Sequence, residues 1–178
     1  MIVLIIGPSA VGKSAYAEYA AGKVPGCCFF DLDKLVGQRA GIRASELLCK
    51  VQADGFLECC QREVDVLRKS CTHLASLVAV GAGALESPRA GAWLSQHHGP
   101  TIAIVAPPHE VYERGGLRNQ GRDLAQFTRT EYSPYRLSLY SAARYQCDVK
   151  GLTLEDARTR FTDMVRSLLP EGEGRIGA

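Results

Sequence analysis

A chain of 178 residues, 46% of them apolar, suits one globular domain with a substantial core. Its formal net charge of +2 gives no global case for nucleic acid or a membrane surface as partner. No apolar run approaches the ~20 residues of a spanning helix, and Met1–Ile6 carries no basic flank or cleavage site, so a cytoplasmic, monomeric protein is expected. The seven cysteines are an odd number and contain no C-x-x-C, which reads as buried free thiols of a reducing compartment.

Met1–Ile6 is an apolar run that leads into Gly7–Ser14, G-P-S-A-V-G-K-S, and then into a helix-competent segment. The octet fits G-x-x-x-x-G-K-[ST] at every fixed position, in the strand–loop–helix context that a phosphate-binding loop requires. Gly7 and Gly12 let the backbone wrap close to a polyphosphate, and successive N–H groups and the helix dipole favour the anion. Lys13 supplies a point charge for the outer phosphates, and the Ser14 hydroxyl is placed to hold Mg²⁺.

Further along, the first helix should end near Gly22. Cys27–Phe30 reads as a short strand closing on Asp31-Leu32-Asp33, and residues 34–52 as two short helices broken at Gly41. Asp54-Gly55 reads as a turn before a helix over 56–72. Ser76–Val80 is a third strand closing on Gly81-Ala82-Gly83, and residues 87–97 read as a helix. Pro100–Ala106 is a fourth strand, and Pro107-Pro108 opens a helix that ends at Gly115-Gly116. Residues 117–127 lack periodicity and read as a mobile loop. Thr128–Arg144 returns to helix with a bend or new start at Pro134. Tyr145–Val149 is a fifth strand, and Thr153–Leu169 a last helix opened by a Thr153/Asp156 capping box. Residues 170–178 read as a disordered tail.

Strands alternating with helices predict an α/β fold: a five-stranded parallel sheet with helices on both faces, of the P-loop, nucleoside-monophosphate-kinase-like type. Residues 1–169 form the one domain, with a short lid over 117–127 and a substrate-binding helical segment over 33–72. Ligands of such sheets bind beyond the carboxyl ends of the strands, so the loop, the D-x-D and the glycine-rich turn should meet at one crevice. In an extended segment Asp31 and Asp33 leave on the same face. Asp31 is then placed to reach the metal near Ser14, and Asp33 to accept a proton from a substrate hydroxyl. An aspartate before a helix is also an ordinary N-cap. Residues 114–144 hold six arginines against Asp123 and Glu131, a local surplus that suits an anionic substrate.

The ordered set resembles the shikimate kinase family: an early P-loop, a D-x-D on the second strand, a glycine triplet on the third, an arginine-bearing lid and a late R-x-x-x-Y. Here these are Gly7–Ser14, Asp31–Asp33, Gly81–Gly83, Arg118–Leu124 and Arg136–Tyr140. The resemblance implies ATP and Mg²⁺ as cofactors and transfer of the γ-phosphate to a ring hydroxyl, with shikimate as the default acceptor. It implies Lys13, Asp33 and Arg122 as catalytic residues. ATP would meet Gly7, Ala10, Val11, Gly12, Lys13, Ser14, Ala15, Arg118 and Arg122, and the metal Ser14 and Asp31. The acceptor, a small hydroxylated and carboxylate-bearing molecule, would meet Asp33, Gly81, Ala82, Gly83 and Arg136, together with Cys60.

Cys60 is also a departure. The family's F-R-x-x-E segment supplies a second carboxylate-binding arginine, and alignment on Glu63 puts Cys60 in its place; alignment on Phe56 gives Leu57. Arg62 would sit about 200° round the helix from Cys60. Losing one of two charge-assisted clamps weakens carboxylate binding roughly tenfold to a thousandfold. A kinase of the same fold acting on a different small alcohol therefore stands beside the shikimate reading. A non-catalytic nucleotide-binding regulator and a nucleoside or nucleotide kinase are further alternatives.

Overall fold

The computed structural model describes residues 1–71, 75–117, 121 and 123–169. Strands β1 (Ile2–Ile6), β2 (Cys27–Asp31), β3 (Ala75–Ala79), β4 (Thr101–Val105) and β5 (Tyr145–Asp148) form one sheet in the order β2-β3-β1-β4-β5. Every pairing is parallel; Leu4 lies opposite both Val78 and Thr101, which puts β1 in the middle. All five residues of β1 are buried, the mark of a strand covered on both faces.

The strand period of two sorts the core into two layers. Ile2, Leu4 and Ile6 of β1 face one layer, and Val3 and Ile5 the other. The first layer is made by α2 (Leu32–Ala40), α3 (Ala44–Ser70), α4 (Ala90–Gln96) and α7 (Pro134–Ser141). The second is made by α1 (Lys13–Ala21), α5 (Pro108–Arg114), α6 (Leu124–Glu131) and α8 (Leu154–Leu168). The expected five-stranded parallel sheet with helices on both faces is the architecture found. Among the described residues no helix is long and apolar enough to cross a membrane.

Several boundaries differ from the sequence reading, each for a local reason. Helix α2 starts at Leu32, directly after the strand, so Asp33 lies in a first helical turn and not in extended chain. The two aspartates are therefore separated by a change of conformation, not aligned by strand alternation. Asp54-Gly55 is not a turn: both residues lie inside α3, whose break falls at Gln52 (φ 60°, ψ 175°). The Asp54 carboxylate accepts from Ser87 Oγ, so its polar group is used in tertiary structure. Residues 82–86 form a 3₁₀ turn that periodicity did not reveal, and α4 begins only at Ala90. The loop expected over 117–127 is helical from Leu124 onward, capped by the Asp123 carboxylate on Gln126 N–H at 2.8 Å. Pro134 does open a new helix, with Ser133 as its cap. The Thr153/Asp156 cap is present, and the tail over 170–178 lies outside the described residues.

The cysteines are all free, but only Cys60 and Cys147 are buried; Cys49 is exposed and the other four are intermediate. Burial of every thiol is thus not what the fold does.

Leu32, with no exposed surface, is the anchor between Asp31 and Asp33. Truncation of such a side chain leaves a cavity as well as lost transfer energy. Leu32→Ala is expected to lower unfolding stability by about 2–5 kcal/mol in chemical denaturation.

Candidate active site

The loop between β1 and α1 has positive φ at Gly7 (145°), Ala10 (63°) and Gly12 (106°), which bends its backbone into an arc. A Cβ on Gly7 would sit 2.6 Å from the Ile104 carbonyl oxygen, and one on Gly12 2.7 Å from the Tyr16 ring. Both glycines are therefore demanded by conformation and by space. Val11 turns its side chain into the second core layer, while Ala15 is exposed on α1. Lys13 Nζ donates to the carbonyls of Gly7 at 2.9 Å and Pro8 at 2.8 Å. Loss of water lowers this ammonium to about 8, opposed chiefly by the Glu131 and Asp33 carboxylates.

At the end of β2, Asp31 divides its oxygens. Oδ2 accepts from Ser14 Oγ at 2.9 Å, and Oδ1 accepts from Lys34 N–H at 3.2 Å as the N-cap of α2. Capping and a metal-side position are thus both available to one carboxylate. Two residues on, Asp33 lies against Gly81, where an added Cβ would overlap both carboxylate oxygens. Burial first, and then the Asp31 charge, push the Asp33 carboxyl above its usual value, while Lys13 pulls it down. Asp33 Oδ1 is buried and has no hydrogen-bond partner among the described residues. An unpartnered buried oxygen is costly in a purely structural site and is the expected state of a group kept for a ligand.

Gly81-Ala82-Gly83 opens the 3₁₀ turn, and its three residues do different things. Gly81 makes room for Asp33. The Ala82 carbonyl accepts from Arg136 Nη2 at 3.2 Å. Gly83 turns toward α3, where a Cβ would meet Leu48 at 3.1 Å and Phe56 at 3.4 Å. Its small size therefore serves helix packing.

Arg136 is 3% exposed and belongs to a buried network absent from the sequence reading. Its Nη1 donates to Glu131 Oε2 at 2.7 Å, and Nη2 lies 3.4 Å from Glu86 Oε1. Glu131, itself 5% exposed, also accepts from Ser9 N–H and from Ser9 Oγ, each at 2.9 Å. One carboxylate thus joins the phosphate loop to the arginine. A signal existed: an acid in the last turn of a helix opposes the dipole and needs a partner elsewhere.

Cys60 has no exposed surface, and burial, followed by the Asp33, Cys59 and Glu63 charges, raises its thiol pKa strongly. It lies in the core layer behind Asp33 and brings no charge to the site. Leu57 is equally buried in that layer. Glu63 pairs with Arg39 of α2 through Nε and Nη2. Arg62 is exposed beside Glu58. Arg118 and Arg122 lie outside the described residues.

The sequence profile of shikimate kinase matches residues 9–166. The chain belongs to the shikimate kinase family. It is 27% identical over 170 residues to the shikimate kinase of Geobacter sulfurreducens, covering 92% of this chain and 90% of that one. Among solved structures it resembles shikimate kinase from Bacteroides thetaiotaomicron, with a TM-score of 0.71 and 19% identity over 94% of this chain and 97% of that one. It also resembles shikimate kinase from Acinetobacter baumannii in complex with shikimate, with a TM-score of 0.67 and 21% identity over 93% and 91%. The low identities make it a divergent member of this small-molecule kinase family, sharing the fold throughout.

The residues present fit the ATP and Mg²⁺ that the family uses. The positive-φ arc, the ammonium of Lys13 and the Ser14 hydroxyl held against Asp31 form the donor set of a metal-bound triphosphate.

Gly81 has φ −68°, which alanine adopts freely, so Gly81→Ala strains no backbone. Its methyl must instead displace the Asp33 carboxylate. The variant is expected to keep its melting temperature within about 2 °C and its ATP affinity, and to lose at least about tenfold in acceptor-stimulated kcat. Calorimetry and a steady-state assay check the two halves.

Proposed function

We propose that this protein transfers the γ-phosphate of ATP to a hydroxyl of a small metabolite. The observation that carries this reading is that Asp33 and Lys13 act on each other's charge, with an Asp33 oxygen that is buried and has no partner among the described residues. When bound, Mg²⁺-ATP supplies the phosphoryl group. Lys13 and the loop N–H groups would hold its outer phosphates, and Ser14 with Asp31 would hold the metal. Asp33 accepts the proton of the acceptor hydroxyl as its oxygen forms the new bond to phosphorus; the bond to the β-phosphate oxygen breaks, and ADP leaves. Arg122 would contact the transferring phosphate, and Arg118 the nucleotide, as the family resemblance implies.

Shikimate is the acceptor that family membership suggests. A different small alcohol is the reading the site residues favour. The position that the resemblance gives to one family arginine falls on a buried, uncharged residue, Cys60 or Leu57, and Arg136 is already paired. An ADP-release assay with a panel of alcohols is expected to show acceptor-stimulated turnover. ATP binding with no stimulation by any acceptor would favour a nucleotide-binding regulator instead.

Asp33→Asn separates chemistry from folding. Removing the base is expected to cut kcat about 10²–10⁴-fold while leaving ATP binding in place. Asp33 holds its proton more tightly folded than unfolded, so its charge subtracts stability as pH rises from the ordinary value of 3.8 through the raised one. The asparagine variant should therefore melt higher than wild type at neutral pH, with the gain fading below the ordinary value. A melting series across pH in parallel with turnover checks both.

A further inference from the structure

The cation assumed for an acceptor carboxylate has its charge met from within the protein. Arg136 donates through Nη1 to Glu131 and through Nη2 to the Ala82 carbonyl and Glu86, and only 4% of its side chain is exposed. Glu131 is itself buried and fixed by two hydrogen bonds from Ser9 of the phosphate loop, so it is not free to swing aside for a competing anion. A ligand carboxylate brought to this arginine would sit beside an anion already there, with its water removed and no unpaired cation beside it among the described residues.

The surroundings point the same way. Cys60 adds no charge, and Arg39, the arginine that reaches Glu63, is taken by it. The cation that acts on Asp33 is Lys13, which belongs to the phosphate loop. A cavity of about 380 Å³ opens between the loop, the 3₁₀ turn and α6. Its walls include Glu86, Asp123, Glu131, Gln126, Thr130 and Phe127: hydrogen-bonding groups and one ring, with no cation among the described residues that line it.

We infer that Glu131 is a specificity-determining residue: by satisfying Arg136 internally it sets the site for a polyhydroxylated alcohol that carries no carboxylate. The inference rests on the phosphotransfer reading above and names its acceptor class. Hydroxyls of such a molecule can donate to the carboxylates of Glu86 and Glu131 and accept from the Gln126 side-chain N–H, whereas a carboxylate can only accept.

Glu131→Gln is a close probe of charge. Its amide oxygen can take the place of Oε2, accepting from Ser9 N–H and Arg136 Nη1, and its amide nitrogen can donate to Ser9 Oγ. The hydrogen bonds are kept and the negative charge is lost. Calorimetric titration with Mg²⁺-ADP present would compare two probes: shikimate, and the primary alcohol made by reducing its carboxylate. Wild type is expected to bind the alcohol at least about tenfold more tightly than shikimate, and Glu131→Gln to move that ratio about tenfold toward shikimate. Glu86→Gln, at a half-exposed position, should move it the same way by less, and stands in if Glu131→Gln does not fold. The ratio cancels any general loss of affinity. Wild type preferring shikimate, a ratio unmoved in the folded variants, or no binding of the alcohol each overturns the inference. The kinase reading fails separately, on ATP bound without ADP release stimulated by any alcohol.

Discussion

The structure depends on how the Asp31 carboxylate is shared. One oxygen fixes the Ser14 hydroxyl at the start of α1; the other caps the first turn of α2. The end of β2 is thereby tied to the phosphate loop on one side and made to enter a helix on the other. That abrupt entry places Asp33 in the first turn, against the backbone of Gly81 and within reach of the Lys13 charge. Strand order supplies the rest, since β3 lies between β2 and β1 and brings the glycine turn between the D-x-D and the loop. Three segments far apart in the chain thus meet at the carboxyl edge of one parallel sheet, where such folds form their crevices.

What could be read from the sequence was whatever is written locally. The strand runs, the glycine and proline punctuation and the phosphate loop are each contiguous in the chain. What failed was long-range or was a local sign used for something else. Asp54-Gly55 looks like a turn, yet its carboxylate is spent on Ser87 and the chain stays helical. The Asp123–Gln126 cap was concealed in a segment with no apolar period, although the cap itself is a short-range pattern. Strand order could not be read at all, because no local feature encodes which neighbour a buried parallel strand takes.

The candidate site divides along the same line. Lys13, Ser14, Asp31, Asp33 and Gly81 are found together, as motif spacing suggested, though Asp33 arrives by a helical turn and not by strand alternation. Gly83 packs against α3, and Cys60 lies in the core. Glu131 escaped notice because its meaning comes from Ser9, 122 residues away in sequence, and from an arginine whose charge it removes. A residue type on its own carries no sign of whether its charge is available.

A family scaffold can diverge on one half of its site while the other half stays fixed. Phosphate handling needs an arc of backbone, an ammonium and a metal-side hydroxyl, and these cannot be altered piecemeal without losing the nucleotide. The acceptor side is held by charges that can be cancelled one at a time. A buried uncharged side chain where the resemblance expects an arginine, Cys60 or Leu57 here, brings no cation; seating a carboxylate behind an arginine offsets its charge while keeping its geometry, as Glu131 does for Arg136. The second change also serves the first half of the site. The Glu131 carboxylate is the strongest of the charges that hold the proton on a desolvated Lys13, so the ion pair that closes the pocket to acids helps keep the phosphate-binding ammonium charged. A buried pair of this kind is neutral for stability at best and costs about 3–5 kcal/mol if broken from one side. Its presence here is better explained by coupling between the nucleotide and acceptor halves than by any need of the fold.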